Sequence, residues 1–135
     1  MSVLMDANAL MMPVECGVRV FEELDRVLGT ADAGDRPSGL DTVVPRAVLD
    51  ELDRLADGAG EAATAASVGI DLARDRCRVL DHDAESGDAA VLECAGREDV
   101  THAVTNDGAL RERLLDAGVP VISLRARNKL AVTRP

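Results

Sequence analysis

Four carboxylates in this chain stand where a charged side chain needs a reason for not facing water: Asp6, Glu51, Asp88 and Asp107. Val3-Leu4-Met5 is a short apolar run ending at Asp6, and a strand predicted over 100–105 runs into Thr105-Asn106-Asp107. In open α/β sheets ligands gather outside the carboxyl ends of the strands, so both runs deliver acids to one edge. Helix phase adds the other two. In the helix predicted over 88–97 the apolar stripe is Val91, Leu92 and Ala95; Asp88 points along that stripe, while Glu93 turns to solvent. Asp107 likewise shares a stripe with Leu110 and Leu114. In the helix predicted over 45–57 the stripe centres between Val48 and Leu52, and Glu51 lies about 80° to its side, at the boundary of the core. Asp50 and Asp53 fall on the outer face. The plainer account is that Asp107 is an N-cap, a favoured place for Asp, and that the others are exposed.

Four carboxylates converging on one sheet edge repel one another, and buried charges persist only when paired or metal-bound. The sequence sets no obvious Lys or Arg next to these positions. A hard divalent cation is the natural partner, since all-oxygen ligands suit Mg²⁺ or Mn²⁺. One or two such ions activate water and stabilise the charge that develops in phosphodiester hydrolysis.

The elements that position these acids follow from periodicity. Residues 15–29 read as a helix through Val18, Phe21, Leu24 and Leu28, closed by Gly29, and 30–40 as loop. Thr42–Val44 is a second strand stopped by Pro45. A small-residue helix over 61–76 carries Ala62, Ala66, Ile70 and Ala73 on a stripe that is core or a dimer face. Strands at 78–80 and 119–124, a loop at 82–87 and a helix over 107–117 complete the pattern. Strands alternating with helices predict an α/β fold: a three-layer α/β/α sandwich around a mostly parallel sheet. The 135 residues fit one domain, without repeat or linker.

Composition narrows the function classes. Phe21 is the single aromatic residue, which argues against binders that stack single-stranded bases on aromatic platforms. No apolar run approaches the roughly 18 residues of a membrane span. Asp6 also breaks the N-terminal apolar stretch before it could serve as a signal peptide. Cys16, Cys77 and Cys94 are odd in number and far apart, so they read as reduced core residues of a cytoplasmic protein. Sixteen Asp and nine Glu face fourteen Arg and one Lys, for a net charge of −10. Such a balance ordinarily disfavours a polyanionic partner. An Asp-rich, nearly Lys-free chain is also what a salt-loaded, halophilic cytoplasm favours, and the Debye length at 1 M salt is only about 3 Å. All the acids lie in the first 116 residues; Arg125, Arg127, Lys129 and Arg134 follow with none between them. That tail is a phosphate-contacting edge or a surface strand.

The segments VLMDANALMMP (3–13), VVPRAVLDELDRL (43–55), GDAAVLECA (87–95) and AVTNDGALRERLLDAGVPVISLR (103–125) together resemble the PIN-domain nucleases, in order and spacing over nearly the whole chain. The late segment is more similar to small archaeal members of the ribosomal-RNA-processing branch than to the VapC toxins. The resemblance implies a Mg²⁺- or Mn²⁺-dependent endoribonuclease in which water attacks phosphorus, leaving 5′-phosphate and 3′-hydroxyl ends. It matches Asp6, Glu51, Asp88 and Asp107 to the family's acidic quartet, which are the four that strand ends and helix phase had selected. Asn8 matches the small polar residue that orients a ligand or a bound water, and Thr105 and Asn106 match the support for the last acid. The family's frequent acid pair is replaced here by Gly87-Asp88-Ala89, which bears on a second ion. Arg125, Arg127 and Lys129 are the candidate RNA phosphate contacts.

Three other readings compete. A phosphoacceptor receiver domain needs a Lys at a late strand end, and the only Lys is Lys129. A haloacid-dehalogenase phosphatase needs a second Asp two residues after the first, and Asn8 stands there. A catalytically inactive PIN fold would serve as a binding module. Within the family, the alternative to RNA processing is a toxin paired with an antitoxin; a ribosome-assembly partner or a homodimer fits the processing role. His82 reads as a loop residue, His102 as part of a strand, and Met11-Met12 as packing.

Overall fold

Ser2–Met5 forms β1, a strand buried at every position, and everything that matters for the acidic edge is built around it. The computed structural model describes residues 2–29 and 40–135, so the loop expected over 30–40 lies, up to residue 39, outside the described residues. The remaining strands are β2 (Asp41–Pro45), β3 (Cys77–Leu80), β4 (Val100–Val104), β5 (Val121–Ala126) and β6 (Lys129–Thr133). The helices are α1 (Ala7–Glu15), α2 (Val20–Leu28), α3 (Arg46–Ala56), α4 (Gly60–Arg76), α5 (Gly87–Ala95) and α6 (Gly108–Asp116). The sheet order is β3-β2-β1-β4-β5-β6, with only β6 antiparallel to its neighbour. From β1 the chain winds outward through β2 to β3, then crosses back to β4 and winds outward the other way. Right-handed crossovers therefore place α1–α4 over one face and α5 and α6 over the other, which is the expected three-layer α/β/α arrangement. Among the described residues no helix is long and apolar enough to cross a membrane.

The first helical region differs from its expectation. The helix expected over 15–29 starts five residues later, as α2, and an additional helix, α1, precedes it. Between them Cys16, expected in the core, is exposed, and Gly17 takes a φ of +66°. Helix α1 hides from a periodicity search because Ala7, Ala9, Leu10, Met11 and Met12 are all buried and Pro13 lies inside it. The 61–76 helix appears as α4, but Ala62 is exposed, and the buried stripe is Ala65, Ala66, Gly69, Ile70 and Ala73. That stripe is core: it packs on α1, where Gly69 lets the helices touch backbone to backbone. A methyl group at Gly69 would lie 3.0 Å from the Leu10 carbonyl oxygen. Gly69→Ala is therefore expected to lower stability by about 1–3 kcal/mol, as overpacked sites do, read as a reduced denaturant midpoint at constant slope.

The cationic tail is the surface strand β6 rather than free chain. Helix α2 holds it through Glu23, a nearly buried carboxylate that takes two hydrogen bonds from Arg26, at 2.8 and 2.9 Å. Glu23 also accepts the Leu130 amide at 3.0 Å, and Arg26 donates to the Leu130 carbonyl at 3.0 Å. The Lys129 ammonium stands 3.8 Å from the same carboxylate. The Arg26 hydrogen bonds, together with the Leu130 amide and the two cationic charges, outweigh burial and pull the Glu23 carboxyl down to about 2. At the amino edge of the sheet, Ser2 donates to Asp41 at 2.7 Å and lies 3.2 Å from Asp99. Arg78 pairs with both acids there.

Candidate active site

The switch in sheet order falls between β1 and β4, and the two strands end together: Met5 is in register with Val104. Asp6 leaves β1 with its amide bonded to the Val104 carbonyl at 3.1 Å, and Thr105 leaves β4 bonded to Ile122 of β5 at 3.1 Å. Asp6 is 5% exposed and caps α1, accepting the Ala7 amide at 2.8 Å. Its other oxygen accepts the Thr105 hydroxyl at 2.7 Å and the Asn8 amide group at 3.0 Å. Thr105, fully buried, also accepts the Asp107 amide at 3.1 Å and lies 3.2 Å from the Asn8 amide nitrogen. The Asn8 carbonyl takes the Asn106 amide at 2.9 Å, and the Asn106 side chain takes the Leu124 amide at 2.8 Å. Asn8 thus works as a clamp between two acid-bearing segments. Asn106 ties the second segment to β5.

The expected quartet converges. Asp6, Glu51, Asp88 and Asp107 line one cavity of about 180 Å³, together with Ala7, Asn8, Met11 and Leu55. The helix-phase expectation needs adjustment for two of them. Asp88 and Asp107 are exposed rather than core-facing, because each sits at the first turn of its helix, beyond the edge of the sheet. The buried side of α5 is Ala90, Val91, Cys94 and Ala95, with Leu92 only half-buried. Asp107 is also the N-cap of α6, accepting the Leu110 amide at 3.1 Å, so cap and cavity wall are one residue. Glu51 is half-buried as expected, with Asp50 and Asp53 outside. Gly87 backs onto it: a Cβ there would stand 3.4 Å from the Glu51 carboxylate.

Electrostatics marks the cavity as a place short of positive charge. Burial raises the Asp6 carboxyl above the ordinary carboxylate range; the Thr105 and Ala7 hydrogen bonds oppose this, while the charges of Asp88 and Asp107 add to it. Burial, then Asp6 and Asp88, raise Glu51, with Arg54 opposing. Arg54 is a cation near the site that the sequence did not single out. Among the described residues the acids do not close into a group of three or more that would hold an ion as it stands. Their donor chemistry nevertheless fits a hard cation: four carboxylates, of which Glu51, Asp88 and one oxygen of Asp107 accept no hydrogen bond among the described residues, with Asp6 and Glu51 raised by burial and mutual repulsion.

Arg125, Arg127 and Lys129 do not line the cavity. Arg125 ends β5 and Arg127 lies in the turn to β6, both exposed, while Lys129 is drawn to Glu23. Sequence reading missed Leu55, an exposed leucine that forms an apolar wall of the cavity one helical turn after Glu51. His102 is a buried part of β4, as expected. His82 is more than a loop residue: its Nε2 accepts the Ala47 amide at 3.0 Å.

The PIN-like domain family matches residues 3–127. The chain belongs to that family. No curated protein sequence matches this PIN-like chain. Among solved structures it is similar to the PIN domain endonuclease Utp24, with a TM-score of 0.76 at 20% identity over 99% of this chain and 92% of that one. It is also similar to a chain in the crystal structure of VapBC2 from Rickettsia felis bound to a DNA fragment from their promoter. There the TM-score is 0.62 at 12% identity, over 93% of this chain and all of that one. At these identities the two likenesses speak for a shared fold.

Proposed function

We propose that this PIN-like chain is a single-domain, cytoplasmic endoribonuclease that uses Mg²⁺ or Mn²⁺ and acts in RNA maturation. One observation carries the reading: four carboxylates, from segments as far apart as residues 6 and 107, line one cavity where the sheet order reverses. Asp6, Glu51, Asp88 and Asp107 would hold the cation, which when bound lowers the pKa of water and neutralises charge developing on phosphate. The chain's own part is positional. Thr105 and Asn8 direct one Asp6 oxygen, the Ala7 amide holds the other, and Asn8, through Asn106, keeps the turn bearing Asp107 against Asp6. Arg125, near the end of β5, and Arg127, in the turn after it, are the candidate phosphate contacts; Lys129, held by Glu23, would serve less directly. Hydrolysis adds water across the P–O3′ bond, so the upstream fragment leaves with a 3′-hydroxyl and the phosphate stays on the 5′-oxygen of the downstream fragment.

The test is cleavage of end-labelled RNA with Mn²⁺ in molar KCl, comparing the wild type with Asp88→Asn. Cuts by the wild type alone, bearing 5′-phosphates, are expected; equal cutting by both proteins would assign the activity to a contaminant. Mn²⁺ should also raise the melting temperature by binding the native state, and Asp88→Asn should blunt the rise. Equal shifts in the two proteins would count against this cavity. A toxin would need an antitoxin, and co-purification with the product of a neighbouring gene separates that role from RNA maturation.

A further inference from the structure

Helix α3 begins without a cap of its own. Its N-cap residue is Pro45, which makes no side-chain hydrogen bond, although Ser, Thr, Asp or Asn would normally serve there. The missing acceptor arrives from 35 positions later in the chain: the Ala47 amide donates to His82 Nε2 at 3.0 Å. A nitrogen that accepts an amide proton carries none, so His82 is neutral and its proton is on Nδ1. That Nδ1 is buried and, among the described residues, has no hydrogen-bond partner. Buried donors are rarely left orphaned, and one that is calls for an explanation.

The loop that carries the ring is fixed from both sides. The segment 81–84 is sewn to both neighbouring helices. Arg46, the first residue of α3, donates to Asp81 at 2.8 Å. Glu93 of α5 accepts the Asp83 and Ala84 amides at 2.8 and 3.0 Å, and Arg97 donates to the Asp81 carbonyl. The charged groups that act on His82 are Asp81 on its own loop and Glu93 of α5, while Arg46 and Arg97 reach the neighbouring Asp81. The loop then leads through Gly87, packed against the Glu51 carboxylate, to Asp88.

We propose that His82 is a positioning residue for the acidic cavity: as a neutral imidazole it caps α3 and fixes the loop leading into α5, setting where Glu51 stands against Asp88. Protonation removes the acceptor and brings a positive charge to a helix N-terminus, where it is unfavourable. Acid therefore loosens one of the ties between the two helices. The inference rests on the cation-binding reading of the cavity, and its test separates the two.

Long-range ¹H–¹⁵N spectra of the wild type, taken from about pH 8 down to about pH 5, the range in which imidazoles titrate, report the tautomer directly. A proton on Nδ1 at the upper end, with the Ala47 amide resonance moving as His82 titrates, is expected. A proton on Nε2, or an Ala47 amide indifferent to that titration, overturns the proposal. Calorimetry of Mn²⁺ binding across the same range then compares the wild type with His82→Gln and His82→Ala. Protonation of the cavity acids is common to all three proteins and cancels in the comparison. The glutamine side chain keeps an acceptor at every pH, so His82→Gln should hold the wild-type affinity of the upper end and lose less of it on acidification. His82→Ala should be weaker throughout by about tenfold, the lower end of the losses seen when a group that orients a metal ligand is removed. One pH profile shared by the wild type and His82→Gln overturns the proposal. Absence of Mn²⁺ binding in all three overturns the reading of the cavity, and the positioning role with it, while the spectra still decide the cap.

Discussion

Asp6→Asn is expected to lower kcat for RNA cleavage on the order of 10³-fold or more, the scale seen when one preorganised electrostatic group is lost from an active site. The fold should survive the change. Asp6 is the acid most committed to the protein, 5% exposed, with the Ala7 amide on one oxygen and Thr105 and Asn8 on the other. An amide in its place keeps the Ala7 bond but turns an NH₂ group toward the Asn8 donor, costing about 1–2 kcal/mol. Relief of charge burial offsets that cost, and the sign has a pH signature. The Asp6 carboxyl is raised by burial and by Asp88 and Asp107, so the wild type loses stability as pH rises from the unfolded value of about 3.8 through the raised folded-state value. The melting temperature of the variant relative to the wild type should therefore climb as pH rises through that region. A variant that keeps wild-type kcat would remove Asp6 from the reaction, and a gap that shrinks with pH would contradict the burial argument.

Glu23→Gln is expected to produce the largest stability loss among polar substitutions away from the cavity, about 1–2 kcal/mol at neutral pH. The carboxyl falls from its ordinary 4.5 to about 2, mainly through the Arg26 hydrogen bonds. Taken whole, that shift corresponds to about 3 kcal/mol, but Arg26 is half-exposed and solvent screens the pair, so less is retained. A lowered carboxyl contributes stability that is complete above its unfolded value and disappears as pH falls through the folded one. The wild type should thus lose its advantage between roughly pH 5 and pH 2, where the two melting curves converge. Parallel curves across that range would show that the carboxylate does not hold β6 to α2.

The acids were legible in the sequence because two sit at the ends of strands and two lie on helices with a clear apolar stripe. How far each is buried was not, since a helix's first turn can project past the sheet, as Asp88 and Asp107 do. The polar clamp was legible only through resemblance: nothing in the spacing of Asn8, Thr105 and Asn106 says that Asn8 would reach across 97 residues to Thr105. Helix α1 escaped because it is buried almost all round and carries Pro13. Strand β6 was legible only as one of two readings of the cationic tail, because a short Lys129–Thr133 run follows a turn lacking Gly or Pro. Periodicity reports contrast between two faces, and these elements have little. The His82 cap joins positions 35 apart, a distance at which composition and spacing are silent.

The pairing of β1 with β4 has a consequence for the order in which the molecule comes into being. The first strand to be synthesised is central, but one of its two neighbours is nearly 100 residues away, as the Ser2–Val100 and Met5–Val104 partners show. Loop closure over such a span makes this seam slow to form, and contacts of this kind dominate folding time. The same seam brings Asp6 to Thr105 and Asp107. A nascent chain that has not yet released residue 107 has three of the cavity's four carboxylates and lacks the fourth, whatever else has folded. The four carboxylates therefore come together only in a late step, after most of the protein has left the machinery that makes it.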